Sequence, residues 1–192
     1  MTYAGVTSLN IALIHHPVIN KRGEIIGSAV TNLDLHDIAR MARTFGIANY
    51  FVTTPYKDQQ HLVQELLEHW RTGHGAKYNP ARKEALSIVS LAESVEKVIE
   101  QLTERYDRRP LVIASSALKQ NDLITYGELR KRIDEEEPVL LLLGTAHGLS
   151  PDIMQGADRT LPPITGREEY NHLSVRSAAS IMVDRLLGYR EQ

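Results

Sequence analysis

The chain has 192 residues, a formal net charge of −2 and no cysteine, so disulfides, zinc–thiolate sites and thiol nucleophiles are excluded. No apolar stretch approaches the roughly 20 residues that cross a membrane, and the first apolar segment lacks the preceding basic residues of a signal peptide. We therefore expect a cytoplasmic protein with a single domain over residues 1–192. Dedicated nucleic-acid binders are usually basic, so any RNA contact must come from a local patch of cations.

The N-terminal half of the chain alternates strands with amphipathic helices. Residues 9–15 predict a first strand, and residues 16–28, with glycines and mixed charges, predict an exposed and mobile loop. An apolar stripe over residues 33–45 predicts a helix, which Thr31 or Asn32 could cap.

The middle of the chain continues this alternation. Residues 73–83 are rich in glycine and basic side chains, and we expect them to form a loop. The other predicted elements are strands over residues 48–53, 86–91 and 111–114, and helices over residues 58–72, 94–106 and 126–133. Alternation of this kind predicts a largely parallel α/β sheet.

The last third of the chain carries the clearest indication of a binding site. Five large aliphatic residues, 139–143, predict a strand buried on both faces. This run ends at Gly144, and a turn of mostly small residues, 145–150, follows. In open α/β sheets, ligands bind at the carboxyl ends of strands, where small residues let a ligand approach the backbone. The alternative is an ordinary strand, turn and helix without a ligand.

Two further segments complete this predicted site. Residues 161–166 form a Leu-Pro-Pro-Ile-Thr-Gly segment, which its adjacent prolines stiffen. A helix is predicted to open within residues 171–179, where Asn171 or Ser174 could cap it and free N–H groups suit a carboxylate or hydroxyl. The first strand is not followed by a glycine-rich dinucleotide motif and the chain has no Walker lysine, so neither kind of nucleotide site is predicted.

The order of these segments resembles that of the SPOUT superfamily, the trefoil-knot RNA methyltransferases that depend on S-adenosylmethionine (SAM). Arg40 precedes a Phe-Gly pair with the spacing of an Asn-x-Gly-x-x-x-Arg motif found in many SPOUT 2′-O-methyltransferases, and Asp34 and His36 stand where that motif has Asn and Gly. The chain is similar from end to end, including residues 73–82, to a small bacterial SPOUT family sometimes joined to a tRNA guanine-N1 methyltransferase.

This resemblance implies a fold and a function. The fold would be an open, mostly parallel α/β sheet with helices on both faces, whose C-terminal helix passes through a loop to form a trefoil knot. Composition and periodicity alone would not suggest a knot, because knots are nearly absent among protein folds. The loops of the knot would hold SAM, a homodimer would place that pocket near the second subunit, and the substrate would be tRNA or rRNA.

The chain departs from the SPOUT pattern at two motifs. The turn at residues 145–148 is shorter than usual and lacks a Glu. Residues 172–176 are His-Leu-Ser-Val-Arg in place of Ser-Leu-Asn-Val-Ser, so an Asn often placed at the active site is missing. These departures are easier to reconcile with a SAM pocket than with 2′-O methylation. The sequence therefore leaves open whether a base or the ribose is methylated.

The three C-terminal segments are predicted to form the SAM pocket. Adenine needs an apolar slot together with a few backbone donors and acceptors. The predicted cofactor-binding residues are Leu142, Gly144, Thr145, His147, Gly148, Leu161, Pro162, Ile164, Gly166, Asn171, His172, Leu173, Ser174, Val175 and Ser177. Gly166 is expected to turn where other residues cannot. Core packing is the alternative role for Leu173 and Val175.

Arg40 is the predicted catalytic residue on the acceptor side, because a guanidinium suits a phosphate or an oxygen that gains charge. Lys77, Tyr78 and Arg82 are predicted to bind RNA, by stacking on an unpaired base and by holding phosphates. The alternatives are a solvated helix arginine at Arg40 and a flexible surface loop at residues 73–83.

Other acids and bases are weaker candidates. His15 and His16 follow the first strand, where a structural role is favoured over a catalytic one. Asp34 and Asp184 are possible carboxylate bases, and the backbone of His147 is expected to matter more than its ring. The eight histidines lack the spacing of a ligand set, so we expect no metal.

Together these observations predict a SAM-dependent RNA methyltransferase that acts as a homodimer on tRNA or rRNA. A noncatalytic SAM- or RNA-binding protein on the same scaffold is the alternative. A hydrolase is disfavoured, because the sequence has no Gly-x-Ser-x-Gly motif.

Overall fold

The computed structural model describes residues 7–168 and 170–189, so the ends of the predicted 1–192 domain lie outside the described residues. The strands are β1 (Leu9–Ile14), β2 (Val18–Ile19), β3 (Ile25–Ile26), β4 (Asn49–Thr53), β5 (Val89–Ala92), β6 (Leu111–Ala114), β7 (Val139–Gly144) and β8 (Arg159–Thr160). The helices are α1 (Asn32–Thr44), α2 (Lys57–Arg71), α3 (His74–Tyr78), α4 (Pro80–Leu86), α5 (Val95–Tyr106), α6 (Tyr126–Asp134), α7 (Pro151–Gly156) and α8 (Val175–Leu187).

Six of the strands form one parallel sheet in the order β5-β4-β1-β7-β6-β8, and β2 and β3 form a separate antiparallel hairpin. Helices cover both faces because the central strands are apolar on both sides. Ile11 and Leu13 of β1 join a core with α1, α2, α4, α6 and α8. Ala12 and Ile14 join a second core with α5 and α7. The predicted α/β class, with a parallel sheet and helices on both faces, is confirmed, and the trefoil knot stays a prediction.

Side-chain caps define where the two helices near the site begin. The Thr31 hydroxyl accepts a hydrogen bond from the backbone N–H of Asp34 at 3.1 Å, so Thr31 rather than Asn32 caps α1. The predicted helix within residues 171–179 begins at Val175, because Ser174 is its cap.

The prediction of a loop over residues 73–83 is wrong, because this segment folds into α3 and the start of α4. The side chain of Asn79 caps α4, and Pro80 occupies the first helical position, where a missing N–H costs nothing. Leu86 therefore ends a helix, and the third strand of the sheet begins at Val89 rather than at residue 86.

The prediction of an exposed loop over residues 16–28 is wrong in part. The β2–β3 hairpin lies within it, and Val18 is fully buried. Its tip, which includes Lys21 and Arg22, is exposed. Strands of two residues have too little periodicity for a sequence pattern to identify them.

The strand order reverses between β1 and β7. β4 and β5 extend the sheet on one side of β1, whereas β6 and β8 lie beyond β7. Ile14 at the end of β1 pairs with Gly144 at the end of β7, so the two carboxyl ends lie side by side. In open α/β sheets this is the place where a crevice for a ligand opens.

Candidate active site

The residues that end β7 form a tight turn, which we call the glycine turn (residues 144–148). A Cβ on Gly144 would lie 2.8 Å from the backbone nitrogen of Leu149, so the chain folds back directly over the strand end. Ala146 and Gly148 have φ angles of 53° and 120°. At Gly148 a Cβ would meet nothing within 4 Å, so open space lies in front of this residue. The turn therefore requires glycine at two positions and leaves one side of its backbone accessible.

The β2–β3 hairpin packs directly against the glycine turn. The backbone N–H of His147 donates to the carbonyl of Ile19 at 3.0 Å, and the N–H of Ile19 donates to the carbonyl of Gly148 at 3.0 Å. Val18 bridges to Leu149 in the same antiparallel manner. The ring of His147 is exposed. In this contact it is the backbone of His147 that anchors the turn.

Side chains add a second connection between the hairpin segment and the turn. Nδ1 of His15 lies 3.0 Å from Oγ of Ser28, and that oxygen lies 2.5 Å from Oγ1 of Thr145. Thr145 donates in turn to the carbonyl of Ile14 at 2.8 Å. Burial lowers the pKa of His15 to about 4, although the nearby Asp34 carboxylate raises it in part. His15 is therefore neutral near pH 7.

The second predicted wall of the pocket starts at Leu161. Leu161 is buried and its N–H donates to the carbonyl of Ala114 at 3.0 Å, while Ile164 packs against the core beneath α8. Pro162 and Pro163 are half-buried between them. Gly166 does not have the left-handed backbone expected of it, and a Cβ there would meet nothing within 4 Å.

The segment before α8 carries both exposed and anchored residues. Leu173 is 46% exposed, whereas Val175 packs against the core, so core packing describes Val175 and not Leu173. Asn171 donates to the carbonyl of Ala117 at 3.0 Å, which ties this segment to the end of β6 instead of capping the helix. His172 is exposed, and its ring lies edge to face with Tyr170.

Leu142, which was predicted to line the adenine slot, lies deeper than the other pocket residues. Its side chain belongs to the core beneath α5 and α7. Its carbonyl accepts from both the backbone N–H and the hydroxyl of Ser115. Ser177 is exposed in the first turn of α8, where its N–H donates to Ser174 at 3.3 Å.

An ion pair joins the first turns of α1 and α8. Nη1 of Arg176 lies 2.8 Å from Oδ1 of Asp34, and its Nε lies 3.4 Å from the Asp37 carboxylate. Asp34 also accepts from the Thr31 hydroxyl at 2.7 Å. The Asp34 carboxylate is therefore engaged rather than free to act as a base. Asp34 and Arg176 are both departures from the SPOUT pattern, and they contact each other.

The remaining candidate base, Asp184, lies at the other end of α8. It is exposed in the helix near Gly188, whose N–H donates to its carbonyl at 2.8 Å. More than two helical turns separate Asp184 from the predicted pocket residues 171–175, since Ser174 caps this helix. The structure therefore does not bring Asp184 to the predicted pocket.

The acceptor-side predictions fall on neighbouring helices, and we call the set Arg40, Lys77, Tyr78 and Arg82 the acceptor patch. Arg40 is exposed on α1, and no carboxylate pairs with it in the described part of the chain. The Arg82 guanidinium stacks on Trp70, 4.8 Å from the ring centre. Lys77 and Tyr78 are exposed on α3. The patch contains three cations and one exposed aromatic ring, which suits a nucleic-acid backbone and an unpaired base.

His36 lies near Arg40 and Arg82, and sequence reasoning gave it no functional role. It is buried, both ring nitrogens lack a hydrogen-bond partner among the described residues, and its ring packs edge to face on Trp70. Burial lowers the pKa of His36 and the charge of Arg82 lowers it further, while Asp37 raises it in part and Arg40 lowers it again. By contrast, Arg43 is paired with Glu84 at 2.7 Å, as suits a surface helix arginine.

Comparison with known proteins identifies the family. Residues 8–188 match the model of a family described as SAM-dependent RNA methyltransferase. The chain belongs to this family. The predicted family and its cofactor, SAM, are thereby confirmed.

Relatives of this chain include longer proteins. It is 48% identical over 181 residues to a tRNA (guanine-N(1)-)-methyltransferase of Oleidesulfovibrio alaskensis and 43% identical over 181 residues to one of Nitratidesulfovibrio vulgaris. These matches cover 94% of the chain but only 42% of each relative, so the chain spans less than half the length of either. An uncharacterized protein of Aquifex aeolicus is 40% identical over 177 residues, which cover 92% of the chain and 86% of that protein.

Solved structures share the fold of this chain. A TrmH/SpoU tRNA modifying enzyme of Aquifex aeolicus has a TM-score of 0.56 at 16% identity, covering 95% of this chain and 75% of that one. A probable methyltransferase of Bordetella pertussis has a TM-score of 0.60 at 16% identity, covering 94% of both chains. The SpoU methyltransferase AviRb of Streptomyces viridochromogenes, solved with AdoMet, has a TM-score of 0.54 at 16% identity and covers 93% of this chain and 56% of that one.

Two other properties of the chain concern metals and membranes. Over residues 7–168 and 170–189, no group of three or more His, Asp or Glu side chains is placed to hold a metal ion. Within the same ranges, no helix is both long and apolar enough to cross a bilayer.

Proposed function

We propose that this chain methylates RNA, with SAM bound at the carboxyl edge of β7 and RNA held by the acceptor patch. The observation that carries the proposal is the glycine turn, which lies where the strand order reverses and has open space in front of Gly148. Leu161, which precedes the half-buried wall at residues 162–164, is hydrogen-bonded to the end of β6 beside β7, and Ile164 and Val175 pack on the core that β7 enters.

The residues present suit SAM in three respects. The accessible backbone of the glycine turn offers N–H and C=O groups to the adenine edge. The exposed Leu173 and the half-buried Ile164 supply apolar surface. The first turn of α8 offers N–H groups that suit a carboxylate or hydroxyl. The bound cofactor would supply a methyl group on a sulfonium, and the chain has to align the RNA nucleophile and accept its proton.

Arg40 is proposed to act on the acceptor side. Its guanidinium is exposed and has no carboxylate partner in the described chain, so its full charge is available to a phosphate or to an oxygen that gains charge. Among the described arginines of α1, only Arg40 has this property, because Arg43 is paired with Glu84.

The proposed substrate is tRNA, with rRNA as the second possibility. The curated relatives are named as tRNA methyltransferases, and the net charge of −2 requires a local cation patch for RNA. The acceptor patch meets that requirement. Replacing Lys77 and Arg82 by Gln should weaken RNA binding several-fold and reduce its salt dependence, without a comparable change in SAM binding.

We further propose that the chain is a single domain that acts as a cytoplasmic homodimer with a C-terminal trefoil knot. Apolar side chains exposed near the first turns of α1 and α8 support an interface there; they are Leu33, Tyr170 and Leu173. Sedimentation at micromolar concentration should report about twice the 21.6 kDa chain mass. A monomer with full activity would contradict the interface.

A noncatalytic SAM- or RNA-binding protein is the second candidate, and one observation favours it. The Asp34 carboxylate is committed to Arg176 and His15 is fully buried, so neither is free to take a proton from RNA. Transfer of tritiated methyl groups from SAM to total RNA of a deletion strain separates the two candidates. Label in RNA supports the enzyme, and binding of SAM without label in RNA supports the binding protein.

A further inference from the structure

Three side chains connect the end of β1, the segment after β3 and the glycine turn. We propose that His15 and Ser28 are positioning residues, which hold Thr145 in one orientation and so prepare the glycine turn for the cofactor. The inference rests on the proposed place of SAM at this turn. Neither His15 nor Ser28 is among the residues expected to touch the cofactor, and both would act through Thr145.

The direction of each hydrogen bond between His15, Ser28 and Thr145 follows from the final acceptor, the Ile14 carbonyl. The Ile14 carbonyl can only accept, so the single hydroxyl proton of Thr145 goes to it at 2.8 Å. Oγ1 of Thr145 must then accept from Ser28, which lies at 2.5 Å. Because the Ser28 proton is used in that bond, Oγ of Ser28 accepts from Nδ1 of His15 at 3.0 Å. His15 is therefore held as the tautomer with its proton on Nδ1 and a free lone pair on Nε2.

The His15 ring is buried away from solvent, which limits the groups that can bond to it. His15 is fully buried, and its Nε2 has no hydrogen-bond partner among the described residues, although the backbone of Ser28 and Ala29 lies close enough to the ring to raise its pKa in part. The lowered pKa of His15 keeps the ring neutral at the pH of most cells. Thr145 and Ser28 are only half-buried, so their orientation depends on the bonds they make rather than on close packing.

The backbone contacts of the hairpin place these bonds where they affect the cofactor edge. Ile19 exchanges hydrogen bonds with His147 and Gly148 on one side of the turn. The Ser28–Thr145 bond holds the second residue of the turn, next to Gly144. The hairpin segment thus contacts the glycine turn near both ends, and loss of the Ser28 hydroxyl leaves the Thr145 side chain with only its bond to the Ile14 carbonyl.

The tautomer can be measured without any cofactor. Long-range nitrogen–proton NMR spectra of the 15N-histidine-labelled chain distinguish a protonated Nδ1 from a protonated Nε2. We expect His15 to be protonated at Nδ1 in the wild type and in Ser28→Thr, which keeps the hydroxyl. In Thr145→Val, the Ser28 proton is free to turn to Nδ1, so the Nε2-protonated form should become populated. A wild-type His15 protonated at Nε2, or a Thr145→Val spectrum identical to that of the wild type, would overturn the proposed chain.

Titration calorimetry with SAM tests the positioning role. Ser28→Ala should weaken SAM binding about tenfold, the scale of one lost hydrogen bond, whereas Ser28→Thr should restore most of the affinity. Ser87→Ala is the matched control, since it removes a serine hydroxyl that bonds only the Glu84 carbonyl at the end of α4. If Ser28→Ala binds SAM as tightly as the wild type, the positioning role is refuted. If the wild type itself binds no SAM, the proposed pocket fails, while the tautomer measurement still decides the hydrogen-bond chain.

Discussion

The glycine turn and the acceptor patch are built in opposite ways. The glycine turn is held by backbone bonds to Ile19 and by the side-chain bonds of Thr145, so its shape is set before any ligand arrives. The acceptor patch instead presents Arg40 without a carboxylate partner in the described chain, together with exposed Lys77 and Tyr78. A prepared pocket suits a small cofactor of constant shape, whereas uncommitted cations suit a flexible polyanion.

Removal of the Arg40 charge should affect the acceptor patch and leave the glycine turn intact. We expect Arg40→Ala to lower methyl transfer by about 100-fold or more, the scale of a lost charge-stabilising group, while SAM affinity changes only a few-fold. Single-turnover methyl transfer and calorimetry measure the two effects. Arg43→Ala is the matched control and should be much milder, because Arg43 is already paired with Glu84. Wild-type turnover in Arg40→Ala would move the acceptor site elsewhere.

One buried histidine lies near each region, His15 near the glycine turn and His36 near the acceptor patch, and the pH dependence of stability distinguishes them. The pKa of His15 falls from 6.5 to about 4 on folding, because burial disfavours the charged ring. The unfolded chain therefore binds more protons, so this stability is complete above about pH 6.5 and is lost as the pH falls towards 4. The full loss for His15 is about 3 kcal/mol.

Urea titrations between pH 4.5 and 7 measure this dependence. In His15→Asn most of the slope should disappear, and the slope that remains should include His36, whose pKa is lowered in the same direction. A His15→Asn protein with the wild-type slope would show that His15 is not the buried neutral group.

The ion pair between α1 and α8 gives a smaller effect on stability. Arg176→Met leaves the Asp34 carboxylate without its cation, and we expect a loss of about 2 kcal/mol in the free energy of unfolding. This is less than the roughly 3–5 kcal/mol of a fully buried pair, because the Arg176 side chain is 31% exposed. The double variant Asp34→Asn/Arg176→Met should recover part of the loss. Equal stability of Arg176→Met and the wild type would mean that the pair contributes nothing.

Replacement of Gly148 should change stability the least among these variants. At a φ of 120°, alanine is strained, and we expect Gly148→Ala to lower stability by about 1 kcal/mol. The loss should be small because the added Cβ meets nothing within 4 Å. Gly156→Ala, at an equally open position without a positive φ, is the control. Thermal unfolding of the two variants measures the difference, and equal melting temperatures would argue against the strained turn.

Much of the fold was predictable because its signals are local. The aliphatic run of β7 and the striped helices α1, α2 and α5 follow from periodicity in short windows. α3 and α4 were missed because glycine, asparagine and proline in residues 73–83 suggest a loop, although Asn79 and Pro80 are also a cap and a first helical residue.

The contacts of the candidate site were predictable only in part. The glycine turn was expected from its composition. The structure explains Gly144 by the close approach of Leu149 and Gly148 by its positive φ. The Asp34–Arg176 pair joins residues 142 positions apart, so no local pattern indicates it. The Ser28–Thr145 bond spans 117 positions and depends on a hairpin whose strands are too short to recognise. Such contacts are set by the topology of the whole fold, whereas sequence patterns report only the secondary-structure propensity of neighbouring residues.

The central claim is that the methyl donor binds at the carboxyl edge of β7. Titration of the 15N-labelled chain with S-adenosylhomocysteine, followed by amide chemical shifts, tests it most directly. The account predicts the largest shifts at residues 144–149, at residues 161–166 and in the first turn of α8, with small changes at the opposite sheet edge around Arg109 and Arg159. Saturable binding with its largest shifts at that opposite edge, or no shifts at millimolar ligand, would contradict it.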